Sequence, residues 1–190
     1  DIDSNQKRIR KIVDDIKDGH IKIPDFQRPF VWDGEQVIEL LDSVYKDYPI
    51  GSILLWKTKE KQLNPLRNIG GIVLPKPEED YPINYVLDGQ QRLSSLFAVL
   101  HHGADEVDRE IDKVGVDDYE KFNIYFDLEE NNFKHESDLP NPKGPLFNQG
   151  ESRFFKMSNL RRPDKYRKKA RELPQKYVHE ADDLINKFEN

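Results

Sequence analysis

The sequence predicts an α+β domain, a small mixed sheet flanked by helices with a helical extension at the C-terminal end, on three observations. Short apolar runs alternate with apolar residues at helical spacing between Ile9 and Leu128. A run from Ile83 to Leu87 stops at Asp88-Gly89 and gives way to a helical repeat, the pattern of strand, glycine turn and helix. From Arg161 onward the composition turns basic and helical, and the apolar patterning thins after Met157.

Ile9, Ile12, Val13 and Ile16 recur on one helical face, with Ser4 as N-cap and Gly19 as the closing residue, which predicts a first helix over residues 5 to 18. Ile21-Lys22-Ile23 reads as a short strand that Pro24 ends. The segment from Pro24 to Trp32 is a stiff loop whose Phe26, Phe30 and Trp32 are expected to anchor it to the core. Asp33 caps a second helix with a buried stripe of Val37, Leu40, Leu41 and Val44. Ser52 to Lys57 is too continuously apolar for a surface hairpin and predicts a central strand.

Residues 59 to 82 hold four prolines and read as loop, with one short strand at Ile72-Val73-Leu74. After the strand Ile83 to Leu87, a third helix runs on Leu93, Leu96, Phe97 and Leu100 to about Gly103. Residues 104 to 121 predict an acidic, partly helical insertion, and Asn123 to Leu128 a strand whose hairpin mate starts at Phe133. Residues 138 to 150 read as loop. Pro163 opens a basic helix, Pro174 breaks it, and the stripe of Tyr177, Ala181, Leu184, Ile185 and Phe188 needs a partner, expected in a following domain or a second copy.

The 190 residues include 36 acidic against 30 basic side chains, a net charge of −6, which disfavours binding nucleic acid by bulk basicity. The run from Arg161 to Arg171 is where contacts to a nucleic-acid backbone would collect, and it equally fits a solvated helix face. The chain has no cysteine, which excludes disulfides and thiolate chemistry and permits a reducing cytoplasm, the expected location. No apolar run approaches the roughly 20 residues of a membrane span. The chain opens at Asp1 without an initiator Met and closes inside an apparent helix, so it is expected to be a piece of a longer protein.

The chemistry concentrates at Asp88-Gly89-Gln90-Gln91-Arg92. A strand that ends in glycine and opens a helix aims the helix's first N–H groups at one point, where the helix dipole favours an anion and above all a phosphate. Gly89 lets the backbone come close, Arg92 can fork onto phosphate oxygens, and the Gln90 and Gln91 amides can donate to phosphate or orient a water. Asp88 is the acid of this cluster, able to hold Mg²⁺ or position an attacking water. The same five residues also fit a capping Asp88 and a solvated Arg92.

Asp25, Gln27 and Arg28 repeat this chemistry in the proline-stiffened loop, which resembles a preorganised binding edge and equally fits a packed connector. Gly51-Ser52 forms a third candidate at the mouth of a strand, where a plain turn is the alternative. The five histidines show no metal-ligand spacing, and no serine-hydrolase elbow is present.

Together "IPDFQRPFVW", "LLDSVYKDYPIGSILLW" and "YVLDGQQRLSSLFAVL", in this order, resemble the domain family at the N-terminus of GmrSD-type modification-dependent restriction enzymes and related phage-defence proteins, within the wider ParB/sulfiredoxin-like superfamily. The resemblance implies a ParB-like nucleotide-binding domain over residues 1 to 158, with residues 159 to 190 starting a helical linker. It implies a nucleoside triphosphate at the DGQQR turn, whose hydrolysis regulates a nuclease elsewhere in the polypeptide. Asp88, Gln90, Gln91 and Arg92 are then catalytic, with Asp88 the candidate Mg²⁺ ligand. Gln27, Arg28, Gly51, Ser52, Gly89, Arg92 and Ser95 bind the nucleotide. The partners implied are the nucleotide, DNA through the full-length protein, and a C-terminal nuclease or helical domain, with a homo-oligomer left open. The alternative is a ParB-like DNA- or partner-binding module without turnover. A third class, a nuclease in this domain itself, would need Asp25 beside Asp88 as a second metal-binding acid.

Overall fold

The computed structural model describes residues 8–59, 63–74, 82–103, 119–140 and 153–189. Helix α1 spans Ile9–Lys17, and Gly19, at φ 77°, turns the chain into β1 (Ile21–Lys22). The expected Ser4 cap lies outside the described residues. Helix α2 (Gly34–Tyr45) starts at Asp33 with a reciprocal capping box: Gln36 N–H donates to the Asp33 carboxylate, and the Gln36 side chain accepts from Asp33 N–H. Val37, Leu40, Leu41 and Val44 are its buried stripe, as the sequence predicts.

Strand β2 (Leu54–Thr58) pairs antiparallel with β5 (Ile83–Asp88), and β1 pairs parallel with β5 on the other side. The sheet is therefore mixed, in the order β1-β5-β2. The expectation of a central strand at residues 52 to 57 is corrected: β2 is an edge strand, and β5 is central. Its apolar run is not buried on both faces, since Leu54 and Trp56 are 49% and 44% exposed while Leu55 packs on the core. Between them, β3 (Asn68–Ile69) and β4 (Ile72–Val73) form a two-stranded hairpin of which the sequence showed only the second strand.

Helix α3 (Gln90–His101) is the hub, buried at every residue except Arg92. Strands β6 (Ile124–Asp127), β7 (Asn132–His135) and β8 (Phe154–Lys156) form a second, antiparallel sheet in the order β7-β6-β8. The hairpin of β6 and β7 matches the sequence reading, and β8 is an addition to it. The expected acidic insertion and the loop after residue 138 fall largely on residues 104–118 and 141–152, outside the described residues. Helix α4 (Pro163–Glu172) opens on Pro163, and α5 (Val178–Glu189) follows the break at Pro174.

The C-terminal stripe finds its partner within the chain, which corrects the expectation of an external one. Tyr177, Ala181, Leu184 and Phe188 are buried in the main core, and the Phe188 ring meets Phe133 edge-on at 6.0 Å. Arg161 adds a polar clasp, reaching Asp14 of α1 and Glu189 of α5. No helix among the described residues is long and apolar enough to cross a membrane.

One buried group makes this core sensitive to acid. Burial pushes the His101 imidazole down to about 4, against the opposing bond of Nδ1 to the Phe97 carbonyl, and the Arg161 charge adds to the depression. The unfolded chain takes up this proton below about pH 6.5 while the folded chain resists it to about pH 4, so stability falls as pH drops through that window. A loss of about 3 kcal/mol is expected between the two limits. Urea unfolding at pH 7 and pH 4.5 checks this, because His101→Leu should flatten the difference and would leave it unchanged were other groups responsible.

Candidate functional site

The site forms where β5 hands over to α3. Gly89 takes φ 91°, and a Cβ there would lie 3.1 Å from Ile53 Cγ1 and 3.4 Å from Arg92 Nη2, so both conformation and space call for glycine. Gly89 is itself the N-cap residue, and no side chain caps α3. Asp88 is therefore not a cap. The first N–H groups of α3 keep the uncapped, dipole-reinforced character that suits an anion.

The loop from Gln27 to Val31 is laced to this turn by side-chain amides. Gln90 Nε2 donates to the Arg28 carbonyl at 3.0 Å, and Gln91 Nε2 donates to the Pro29 carbonyl at 3.2 Å. Gln91 Oε1 accepts from Val31 N–H at 2.9 Å. In return Gln27 Nε2 donates to the Val86 carbonyl at 3.3 Å, occupying the backbone of β5 beyond the reach of β1. Gln90 and Gln91 are buried, so their amides position the loop, where the sequence reading had them donate to phosphate or orient a water. Gln91→Leu leaves the Pro29 carbonyl and Val31 N–H without their partner, at an expected cost of about 2 kcal/mol. Thermal unfolding checks this, and an unchanged midpoint would mean the loop holds itself.

Arg92 reaches across to the Ile50 carbonyl, with Nη1 at 2.5 Å, and its Nη2 lies 3.6 Å from the Asp88 carboxylate. Gly51 makes room for it: at φ 82°, a Cβ would stand 2.3 Å from Nη1. Ser52 is exposed on the same turn. Ser95 is fully buried and donates to the Gln91 carbonyl at 2.8 Å, lining neither of the clefts described next.

Two clefts open on either side of the loop. The first, about 230 Å³, has Arg28, Asp88, Gly89 and Arg92 in its walls, with Trp32 and Leu87 at its apolar side. The second, about 320 Å³, is bounded by Asp25, Phe30, Asn68, Ser94, Lys121 and Phe122 among others. Gln27, Arg28 and Gln90 stand between the two and line both. Arg28 and Arg92 thus share a cleft, whereas Asp25 and Asp88 belong to different ones. No group of three His, Asp or Glu able to hold a metal occurs among the described residues.

Some lining residues escaped the sequence reading. Ser94 faces the second cleft with Gln90 because the two are four apart on α3, a spacing that was available. Asn68 and Lys121 come from distant segments and left no local signal. Phe26 was expected to anchor the loop, yet it is 64% exposed, while Phe30 and Trp32 do pack on the core. The prolines and the glutamine bonds hold the loop without it.

The chain is 30% identical over 109 residues to "Uncharacterized protein MJ0686" of Methanocaldococcus jannaschii, a match that covers 53% of this chain. It spans 18% of that relative's length. Residues 9–189, from the first helix to the last, match the family described as "GmrSD restriction endonuclease, N-terminal domain". With that match running through both clefts and the docked C-terminal helix, the chain belongs to the GmrSD restriction endonuclease N-terminal domain family.

Proposed function

We propose that this domain binds a nucleoside triphosphate at the β5–α3 turn and hydrolyses it to regulate a nuclease elsewhere in a longer DNA-restriction protein. The observation that carries this reading is the convergence of Arg28 and Arg92 on one cleft at the uncapped start of α3. Two guanidinium groups and a set of helix N–H groups suit the several charges of a polyphosphate. The ParB-like kinship of the core belongs to the same proposal, and so do the partners, DNA and a nuclease domain.

The residues divide into positioning and contact roles. Gln27, Gln90 and Gln91 fix the loop against the turn, so that Arg28 is presented at low entropic cost. Arg92, Gly89 and the adjacent backbone N–H groups meet the phosphates, with Gly51 clearing the path of Arg92. Asp88 is 74% exposed in its side chain, open to a water or a cation. A single carboxylate fits Mg²⁺ only in the manner of sites that complete the shell with phosphates and waters, where the ion would offset phosphate charge. Ser52 stays in the proposal as a rim residue, and Ser95 acts on the site only by bracing Gln91.

One observation favours the second reading, binding without turnover. The Gln90 and Gln91 amides are committed to the loop, which leaves the exposed Asp88 carboxylate, paired with Arg92 at 3.6 Å, as the group proposed to orient a water. Phosphate release from the four common ribonucleoside triphosphates, with and without Mg²⁺, separates the two. The proposal expects magnesium-dependent release of one phosphate per turnover, whereas saturable binding with no release supports the binding module.

A further inference from the structure

We propose that the second cleft takes the base and sugar of the nucleotide, with Asp25 reading the base edge and favouring guanine over adenine. This rests on the phosphate reading of the first cleft and goes beyond it. The two clefts share Gln27, Arg28 and Gln90 in their walls, so a ligand whose phosphates sit against Arg28 and Arg92 has the second cleft on the other side of the same arginine. Its chemistry changes in the required direction. The first cleft is walled chiefly by charge and backbone, and the second combines Phe30, Leu66, Ile69 and Phe122 with polar side chains that include Asp25, Asn68, Ser94 and Lys121. That mixture suits a flat heteroaromatic ring with a hydrogen-bonding edge.

The walls are built firmly. Gly70 sits at φ 57° where a Cβ would fall 2.7 Å from the Phe122 ring and 2.8 Å from Ala98 Cβ, which presses the β3–β4 turn onto α3 and Phe122. Phe30 meets Phe122 edge-on at 5.3 Å, and the Lys121 ammonium lies 4.7 Å from the Phe30 centroid. The Asp25 backbone is held by its N–H bond to the Asn64 carbonyl at 2.7 Å, and Leu66 N–H bonds the Ile23 carbonyl at 2.8 Å. Asp25 is the carboxylate of this cleft. A carboxylate only accepts hydrogen bonds, and guanine offers it two adjacent donors, N1–H and the 2-amino group. Adenine sets its single amino donor beside a ring-nitrogen acceptor, which a carboxylate repels. Arg28 and Lys121 offset the cost of a carboxylate near a polyanion.

Calorimetric titration with GTP, ATP and inorganic triphosphate tests this on the chain itself and on Asp25→Asn. The proposal expects GTP to bind at least about tenfold tighter than ATP and inorganic triphosphate, and Asp25→Asn to bring GTP and ATP within about twofold. Asp25 is exposed, and a thermal melt of the variant verifies its fold. If all three ligands bind alike and Asp25→Asn changes nothing, the base cleft is wrong while the phosphate site stands. If inorganic triphosphate and both nucleotides all fail to bind, the phosphate reading falls with it.

Discussion

Arg92→Ala is expected to weaken triphosphate binding by about 30- to 100-fold, the equivalent of about 2 to 3 kcal/mol for a charge-assisted bond to phosphate. The side chain is 18% exposed and is aimed by its hydrogen bond to the Ile50 carbonyl, so little entropy is lost when it meets an anion. The fold should lose about 1 kcal/mol, because the Ile50 carbonyl gives up one donor at a partly open site. Arg92→Lys should recover part of the affinity through charge, and not all of it, since an ammonium lacks the planar fork. Equal affinity in all three proteins by calorimetry would remove Arg92 from the site.

Asp88→Ala is expected to lower phosphate release by at least about 100-fold while leaving nucleotide affinity within a few-fold. Asp88 is the exposed acid of the turn, and its pairing with Arg92 at 3.6 Å is a surface contact worth at most about 1 kcal/mol. Because Gly89 rather than Asp88 is the N-cap, the variant loses no cap, so melting should shift by only a degree or two. Steady-state release with a binding control makes the distinction. Unchanged turnover would move the chemistry to another group.

Much of this arrangement could be read from the residues in order. The N-cap at Asp33, the glycines at 19 and 89, and the apolar spacing of α1, α2 and α3 are local signals, and the structure follows them. The meeting of residues 27 to 28 with 88 to 92 was suggested by their shared Gln-Arg chemistry. What joins them is tertiary: a glutamine on α3 bonding the backbone of a loop some 60 positions away leaves no trace in spacing. Nothing in the residue types of Gln90 and Gln91 separates a phosphate contact from a loop contact, since an amide donates to a carbonyl as well as to an anion, and here both amides bond to the loop.

The misread edge strand has a different cause. The run Ile53 to Trp56 is continuously apolar, which marks a strand buried on both faces, but here Leu54 and Trp56 stay open to solvent, as does Leu87, which lines the first cleft. The stripe on α5 was visible, yet its partner was not, because amphipathicity says that a face is covered and not by what. Strand β8 is three residues long, too short for any periodicity to register.

A triphosphate held in the cleft between the loop at Arg28 and the start of α3 should depend on both arginines. Titrating each ribonucleoside triphosphate with Mg²⁺ into the wild-type chain and into an Arg28→Ala/Arg92→Ala double variant, followed by calorimetry, tests it most directly. The expected result is one saturable site per chain, with a dissociation constant on the order of micromolar, that the double variant loses while melting as a folded protein. Absence of saturable binding to the wild type at millimolar nucleotide, or equal binding by a folded double variant, would contradict it.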